Sequence, residues 1–233
     1  MHLIHKIRTK FRTRVQSSGQ SFVELTIILP LLLLMLIGMV EVAFTMFAYM
    51  TALDLSREAA RFASTRDFNF EDVDTGNTIC DGLTVQECAC EDTFLHYYRD
   101  TACFYTDPTL NPFFDFDPAK YDDVVVSVLT IADNTVHARH PDPVWSLNGD
   151  NWTKDCQGNV VRSEPFFTDA IIASDFVTEA PDDRGLVIVE SYICYDLILP
   201  IPLLSDFIKS PFRIHAYTIM PASEAIPTPT PIP

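Results

Sequence analysis

The sequence predicts an α+β protein: a long N-terminal transmembrane helix that continues into a stalk, packed on a small antiparallel β-sheet head with disulfide-rich loops. Three observations lead there. From Phe22 to Tyr49 runs a 28-residue apolar stretch, about 42 Å of helix at roughly 1.5 Å per residue. Residues 121–132, 185–199 and 212–220 are rich in β-branched residues or alternate apolar with polar ones, the signature of strands. All six cysteines follow the apolar stretch.

The elements are expected in this order: a basic cytoplasmic segment at 1–19, the transmembrane helix at 20–50, a helical extension at 51–66, an acidic Cys-containing head at 67–221 and a Pro-rich disordered tail at 222–233. A bilayer core of roughly 30 Å needs about 20 apolar residues, so the stretch spans it with length to spare. Lys6, Arg8, Lys10, Arg12 and Arg14 precede it with no acidic residue among them. Such a cluster stays on the cytoplasmic side, which places the rest of the chain outside the cytoplasm in a single pass of the cell (inner) membrane. A cleavable secretory signal also begins basic and turns apolar, but its apolar region is only about 7 to 15 residues long.

Glu24 and Glu41 bracket a charge-free run of 16 residues, only about 24 Å of helix. Both carboxylates therefore cannot sit in the headgroups at once. An ionised group at mid-membrane costs on the order of 3 kcal/mol, less near the edge. No basic residue lies between Phe22 and Arg57, so a partner comes from another chain, or a raised pKa leaves the carboxyl neutral. For Glu41 the reading is an outer-interface carboxylate. Pro30 removes one backbone hydrogen bond and is expected to bend the helix. Gly38 offers a point of close approach for a neighbouring helix.

Residues 50–64 (MTALDLSREAARFAS) contain no Gly or Pro and continue the helix. Asp54 with Arg57, and Glu58 with Arg61, are spaced as exposed helical pairs, leaving Leu53 and Ala60 to face a globular head. Residues 67–120 are irregular, with Asp, Asn and Gly clustered at 67–82 and Pro108, Pro112 and Pro118 beyond; a helical turn is expected at 93–98. Residues 72–77 (DVDTGN) hint at a calcium loop but lack the ligand spacing and terminal glutamate of an EF-hand. Cys80, Cys88, Cys90, Cys103, Cys156 and Cys194 form an even set in an extracytoplasmic domain, which favours disulfides, and fifteen connectivities stay open. Zinc is the rival for the first four, but their spacing lacks paired C-x2-C knuckles.

In the head, Val124, Val126, Val128 and Thr130 share one strand face, and Glu190 sits between apolar neighbours. Three antiparallel strands are expected. Residues 137–142 (HARHPD), beside Pro141 and Pro143, read as a solvated turn; the ending PASEAIPTPTPIP reads as polyproline II. Asn151-Trp152-Thr153 fits an N-glycosylation sequon. Residues 1–66 carry eight Lys/Arg against four Asp/Glu, net +4; residues 67–233 carry eight against 28, net −20, together the −16 of the chain. So acidic a head repels nucleic acid and anionic lipid. No nucleophile elbow, zinc-protease, P-loop or dinucleotide motif occurs. No catalytic residue, cofactor or metal ligand is assigned, and the protein is not expected to be an enzyme.

Gly19-Gln20-Ser21-Phe22-Val23-Glu24 resembles the processing site of type IV pilin precursors, in which a basic leader ends in glycine. The wider pattern GQ..VE......LP.LL.L..G..E followed by REAAR, covering residues 19–64, is similar to the TadE-like pseudopilins of the Flp/Tad pilus. Leu25 stands where Flp-type pilins often have tyrosine. The resemblance implies cleavage between Gly19 and Gln20 by a prepilin peptidase, so that Glu24 becomes the fifth residue of the mature chain. It also implies that Glu24 pairs with the N-terminal amine of an adjacent subunit; the alternative leaves Glu24 among cytoplasmic headgroups. The expected function is that of a minor pilin or pilus assembly protein of a Tad-like type IV pilus or secretion system. Glu24, Pro30, Gly38 and Glu41 would serve assembly with the lipid bilayer, pilin-like subunits and Tad assembly-platform proteins. A single-pass anchored binding or adhesion domain outside any pilus is the alternative; a membrane-bound hydrolase is a third reading without a convincing catalytic carboxylate.

Overall fold

The computed structural model describes residues 18–66, 97–107, 115–133, 135–175, 184–198 and 210–225. The expected calcium loop at 72–77, most of the proline turn at 200–211 and the tail beyond 225 lie outside them. The chain divides into two compact units, Met1–Phe44 and Thr45–Pro233. Helix α1 (Ser18–Ser64) begins in the first and ends in the second.

In the first unit α1 carries the apolar stretch, with Pro30 inside the helix. The helix from Phe22 on is long and apolar enough to cross a membrane, with a mean hydropathy of 2.6 over its most apolar 18 residues. Pro30 has no N–H for the carbonyl of Thr26. One turn earlier, the Thr26 hydroxyl donates to the carbonyl of Phe22 at 2.7 Å.

In the second unit the end of α1 buries Ala52, Leu55, Ser56, Ala59, Ala60 and Ala63. This i, i+3, i+4 spacing makes one helical stripe, as expected for Ala60; Leu53 is partly buried against the same core. Among the described residues four strands follow: β1 (Asp123–Ala132), β2 (Thr135–Ser146), β3 (Arg184–Tyr195) and β4 (Phe212–Pro221). They form an antiparallel sheet in the order β2-β1-β3-β4. The register sets Val126 opposite Val189 and Val189 opposite Thr218, so Val124, Val126, Val128, Val187, Val189 and Ala216 share the core with the α1 stripe. Helix α2 (Tyr97–Thr106) completes this layer. Its Tyr97 hydroxyl donates to the Ala63 carbonyl at 3.1 Å, and its Tyr105 hydroxyl to that of Ala52 at 3.3 Å. Burial pushes both phenols well above their ordinary range.

The opposite face of the sheet is covered too. Leu129, Ile131, Leu186 and Ile188 pack with Phe167 and with Ile172 of helix α3 (Asp169–Asp175), while Val125 packs with Trp152 and Tyr192.

One expectation needs correction. Residues 137–142 are not a turn but the middle of β2, a fourth strand. An edge strand needs no donors on its outer side, so Pro141 and Pro143 are tolerated there. Of the helical turn expected at 93–98, residues 97–98 lie in α2 (Tyr97–Thr106), and residues 93–96 lie outside the described residues. Beyond β4 the chain stays packed through a 3-10 turn at Ser223–Ala225, with Ala222 and Ala225 buried.

Two adjacent carboxylates, fully buried, fasten the loops to the sheet. Asp122 accepts from the backbone N–H of Cys194 (2.6 Å) and of Asp117 (2.9 Å). Asp123 accepts from those of Val124, Asn148 and Trp152, each at 2.9 Å. Burial pushes each carboxyl up from 3.8 to about 6, against the pull of these donors.

Two outcomes are expected. A Cβ on Gly185 would overlap the Ala222 carbonyl oxygen and the Ala225 methyl, so Gly185→Val should cost about 1–3 kcal/mol, read as a lower urea midpoint of the full chain in detergent. The second concerns pH. A raised carboxyl pKa means that the folded state holds the proton more tightly, so this stability is complete below about pH 3.8 and lost as pH rises through about 6. The difference is at most about 3 kcal/mol per carboxyl. The urea midpoint should therefore be higher at pH 5 than at pH 7.5; a flat profile across this window would contradict the assignment. Asp155, whose carboxyl is lowered by its hydrogen bonds to Asn159, acts in the window below and does not mask the trend.

Candidate functional site

The residues proposed for processing and assembly all lie on α1. Gly19 and Gln20 are in its first turn, directly after Ser18. Glu24 is exposed one turn further on. Gly38 has nothing within 4 Å of where a Cβ would stand, which leaves that point of the helix open to a close neighbour. Glu41 differs from Glu24: it is buried, at 6% exposure, between the exposed Val40 and Val42.

The REAAR run is partitioned by the helix itself. Ala59 and Ala60 are buried at 0% exposure, while Arg57 pairs with Asp54 at 3.1 Å and Arg61 lies 3.9 Å from Glu58 on the outer side. Exposed pairs of this kind are worth little in stability, about 0.3–0.5 kcal/mol each. The alanines join the core cluster, and the charges keep the opposite side wet.

Of the six cysteines, Cys156 and Cys194 form a disulfide across 38 residues, and Cys103 is disulfide-bonded. A bonded Cys103 is not a zinc thiolate, which removes it from the zinc reading. Cys80, Cys88 and Cys90 lie outside the described residues. Among the described residues no group of three or more His, Cys, Asp or Glu side chains is arranged to hold a metal.

The head also holds polar clusters on its second sheet face. The buried Glu190 accepts from the Tyr192 hydroxyl at 2.6 Å and lies 3.0 Å from Nε2 of His215. The His215 ring stacks on Tyr192, with centroids 4.6 Å apart, and lies 4.9 Å from Phe166. Desolvation, with the Glu190 charge beside it, holds the Tyr192 phenol far above its usual range. Arg213 gathers the loops: Nη1 donates to the carbonyls of Asn151 and Trp152, Nη2 to that of Tyr121 at 2.8 Å. On β2, Arg139 donates to Asp169 at 2.8 Å and to the Phe167 carbonyl at 2.6 Å, pinning the start of α3. The contacts of Arg213 and Arg139 are structural in character, joining loops to the sheet, while the Glu190 cluster ties β3 to β4. The sequon Asn151-Trp152-Thr153 is folded into a 3-10 turn in which the Asn151 amide donates to the Pro118 carbonyl at 3.0 Å and Trp152 is buried, so a glycan there would require this turn to open.

Sequence reasoning noted Glu190 but not its partners, because the pairing depends on the β3–β4 register that sets Tyr192 opposite His215. Asp122 and Asp123 had one legible signal, two acids at the mouth of an apolar strand.

No curated protein and no solved structure matches the chain. One family does: residues 19–61 match the family model described as TadE-like protein. The match takes in the apolar stretch with both glutamates and most of the stripe that packs on the sheet, and it leaves the strands outside. Over residues 19–61, therefore, the chain is similar to TadE-like proteins, and the helix carrying that similarity is long and apolar enough to cross a membrane.

Proposed function

We propose that the protein is a minor pilin or pilus assembly protein of a Tad-like type IV pilus or secretion system, working by helix–helix association rather than by catalysis. Its anchor is the N-terminal part of α1 in the cell (inner) membrane, with the basic N-terminus in the cytoplasm and the head outside. Its partners are pilin-like subunits and Tad assembly-platform proteins, and a prepilin peptidase cuts between Gly19 and Gln20. The observation that carries this reading is the TadE-like match falling on the membrane-length stretch that holds Glu24.

The energetics give Glu24 its role. An acid at or inside the hydrocarbon boundary costs up to about 3 kcal/mol, and a free amine on a neighbouring subunit offsets that cost only if leader removal exposes it. Processing and assembly are thus one chemical argument. Gly38, without a side chain, lets a neighbouring helix come close enough for the pairing to form.

N-terminal sequencing of membrane-extracted protein should begin at Gln20; an intact Met1 in cells with an active peptidase would leave only a tether. Glu24→Ala should lower incorporation into sheared surface filaments at least about tenfold, the equivalent of some 1.4 kcal/mol, while leaving the protein in the membrane fraction. Filaments that assemble normally with that variant would remove the charge pairing.

A further inference from the structure

The disulfide between Cys156 and Cys194 joins two different environments. Cys194 is buried at the end of β3, and its backbone N–H is held by Asp122. Cys156 lies half-buried in a loop turn. An Nη2 of Arg213 lies 3.6 Å from Sγ of Cys194, and that guanidinium is fixed there by the Tyr121 and Asn151 carbonyls. A thiolate beside a guanidinium is stabilised and leaves a disulfide more readily. We propose that this bridge is a redox-sensitive fastener with a fixed polarity: an external thiol opens it at Cys156, and Cys194 departs as the thiolate beside Arg213.

The step balances as thiol–disulfide exchange. A thiolate of the reductant attacks Sγ of Cys156, a bond forms between them, and the Cys156–Cys194 bond breaks with its electron pair going to Sγ of Cys194. With a dithiol reductant, the second thiol then attacks its own sulfur in the mixed disulfide. This frees Cys156 and leaves the reagent oxidised by two electrons. Opening would release the loop around Cys156 from β3 without dismantling it. Asp155 still holds the backbone of Gln157 and Asn159, and Gln157 still donates to the Pro211 carbonyl.

The test uses the full chain in detergent, exposed to graded glutathione, quenched with iodoacetamide and mapped by peptide mass spectrometry. Glutathione is expected on Cys156 and the alkyl group on Cys194, in at least about tenfold excess over the reverse. The reverse pattern, or a bridge that stays closed at concentrations that open the Cys103 disulfide, overturns the proposal. Arg213→Met should slow opening about tenfold and Arg213→Lys by no more than about threefold; equal rates in both variants overturn the role of the charge. Should Arg213→Met fail to fold, the map on the unaltered chain and the Arg213→Lys rate still decide.

Discussion

The head depends on one packing relation, the alanine stripe of α1 against the valine face of β1 and β3. Ala52, Ala59, Ala60 and Ala63 are completely buried, in one core cluster with the sheet. On the other side stand Val124, Val126, Val128, Val187 and Val189, all at 0% exposure. Burying a valine contributes about 1.5 kcal/mol or more, so these five carry a large part of the driving force. A larger residue in the stripe would push the helix off the whole row at once. The Ser56 hydroxyl, inside the stripe, meets Thr218 at 2.9 Å, so β4 is held by a polar contact where the apolar row runs out.

That arrangement puts β1 and β3 in the middle of the sheet and buries them on both faces. Central strands of this kind leave no wet side, so polar groups on them look for partners inside, although the buried Ser127 hydroxyl on β1 and Oε1 of Glu190 on β3 find none among the described residues. Asp122 and Asp123 meet the demand with five backbone N–H groups, Ser191 with the Ala216 carbonyl, and Glu190 with Tyr192 and His215. The loops are therefore not draped over the sheet. They are drawn onto it by buried carboxylates and by Arg213, and this is how long irregular connections give an ordered second face.

Much of this was legible in the chain. The apolar stretch, the acid-free basic start and the helical extension follow from composition and spacing alone, and three strands stood out by alternation. The fourth did not, because HARHPDPVW places two prolines and two histidines where an interior strand would need donors and apolar side chains; only its edge position permits them. The extent of helix α2 to Thr106 was not legible for a related reason. The tyrosines of YYRDTACFYT are anchored by hydroxyl bonds to α1 carbonyls that no local pattern reveals. The Cys156–Cys194 pairing and the Glu190–His215 contact depend on the β1–β3 and β3–β4 registers, which side-chain alternation fixes only to within a shift of two residues.

The TadE-like segment gains a physical meaning from where it ends. Its 19–61 span covers two different tasks on one helix: an apolar stretch with exposed side chains such as Phe22, Leu31 and Met39, and then a stripe with Ala59 and Ala60 fully buried. The first is suited to lipid and neighbouring helices, the second to a sheet. The requirement on the second task is loose, since any valine-rich antiparallel face accepts a stripe of alanines with charges turned outward. The first is strict, because an acid near hydrocarbon tolerates few arrangements. The match runs through both parts of the helix and stops short of the sheet, so the strands of this head lie beyond it while the helix packed on them lies inside it.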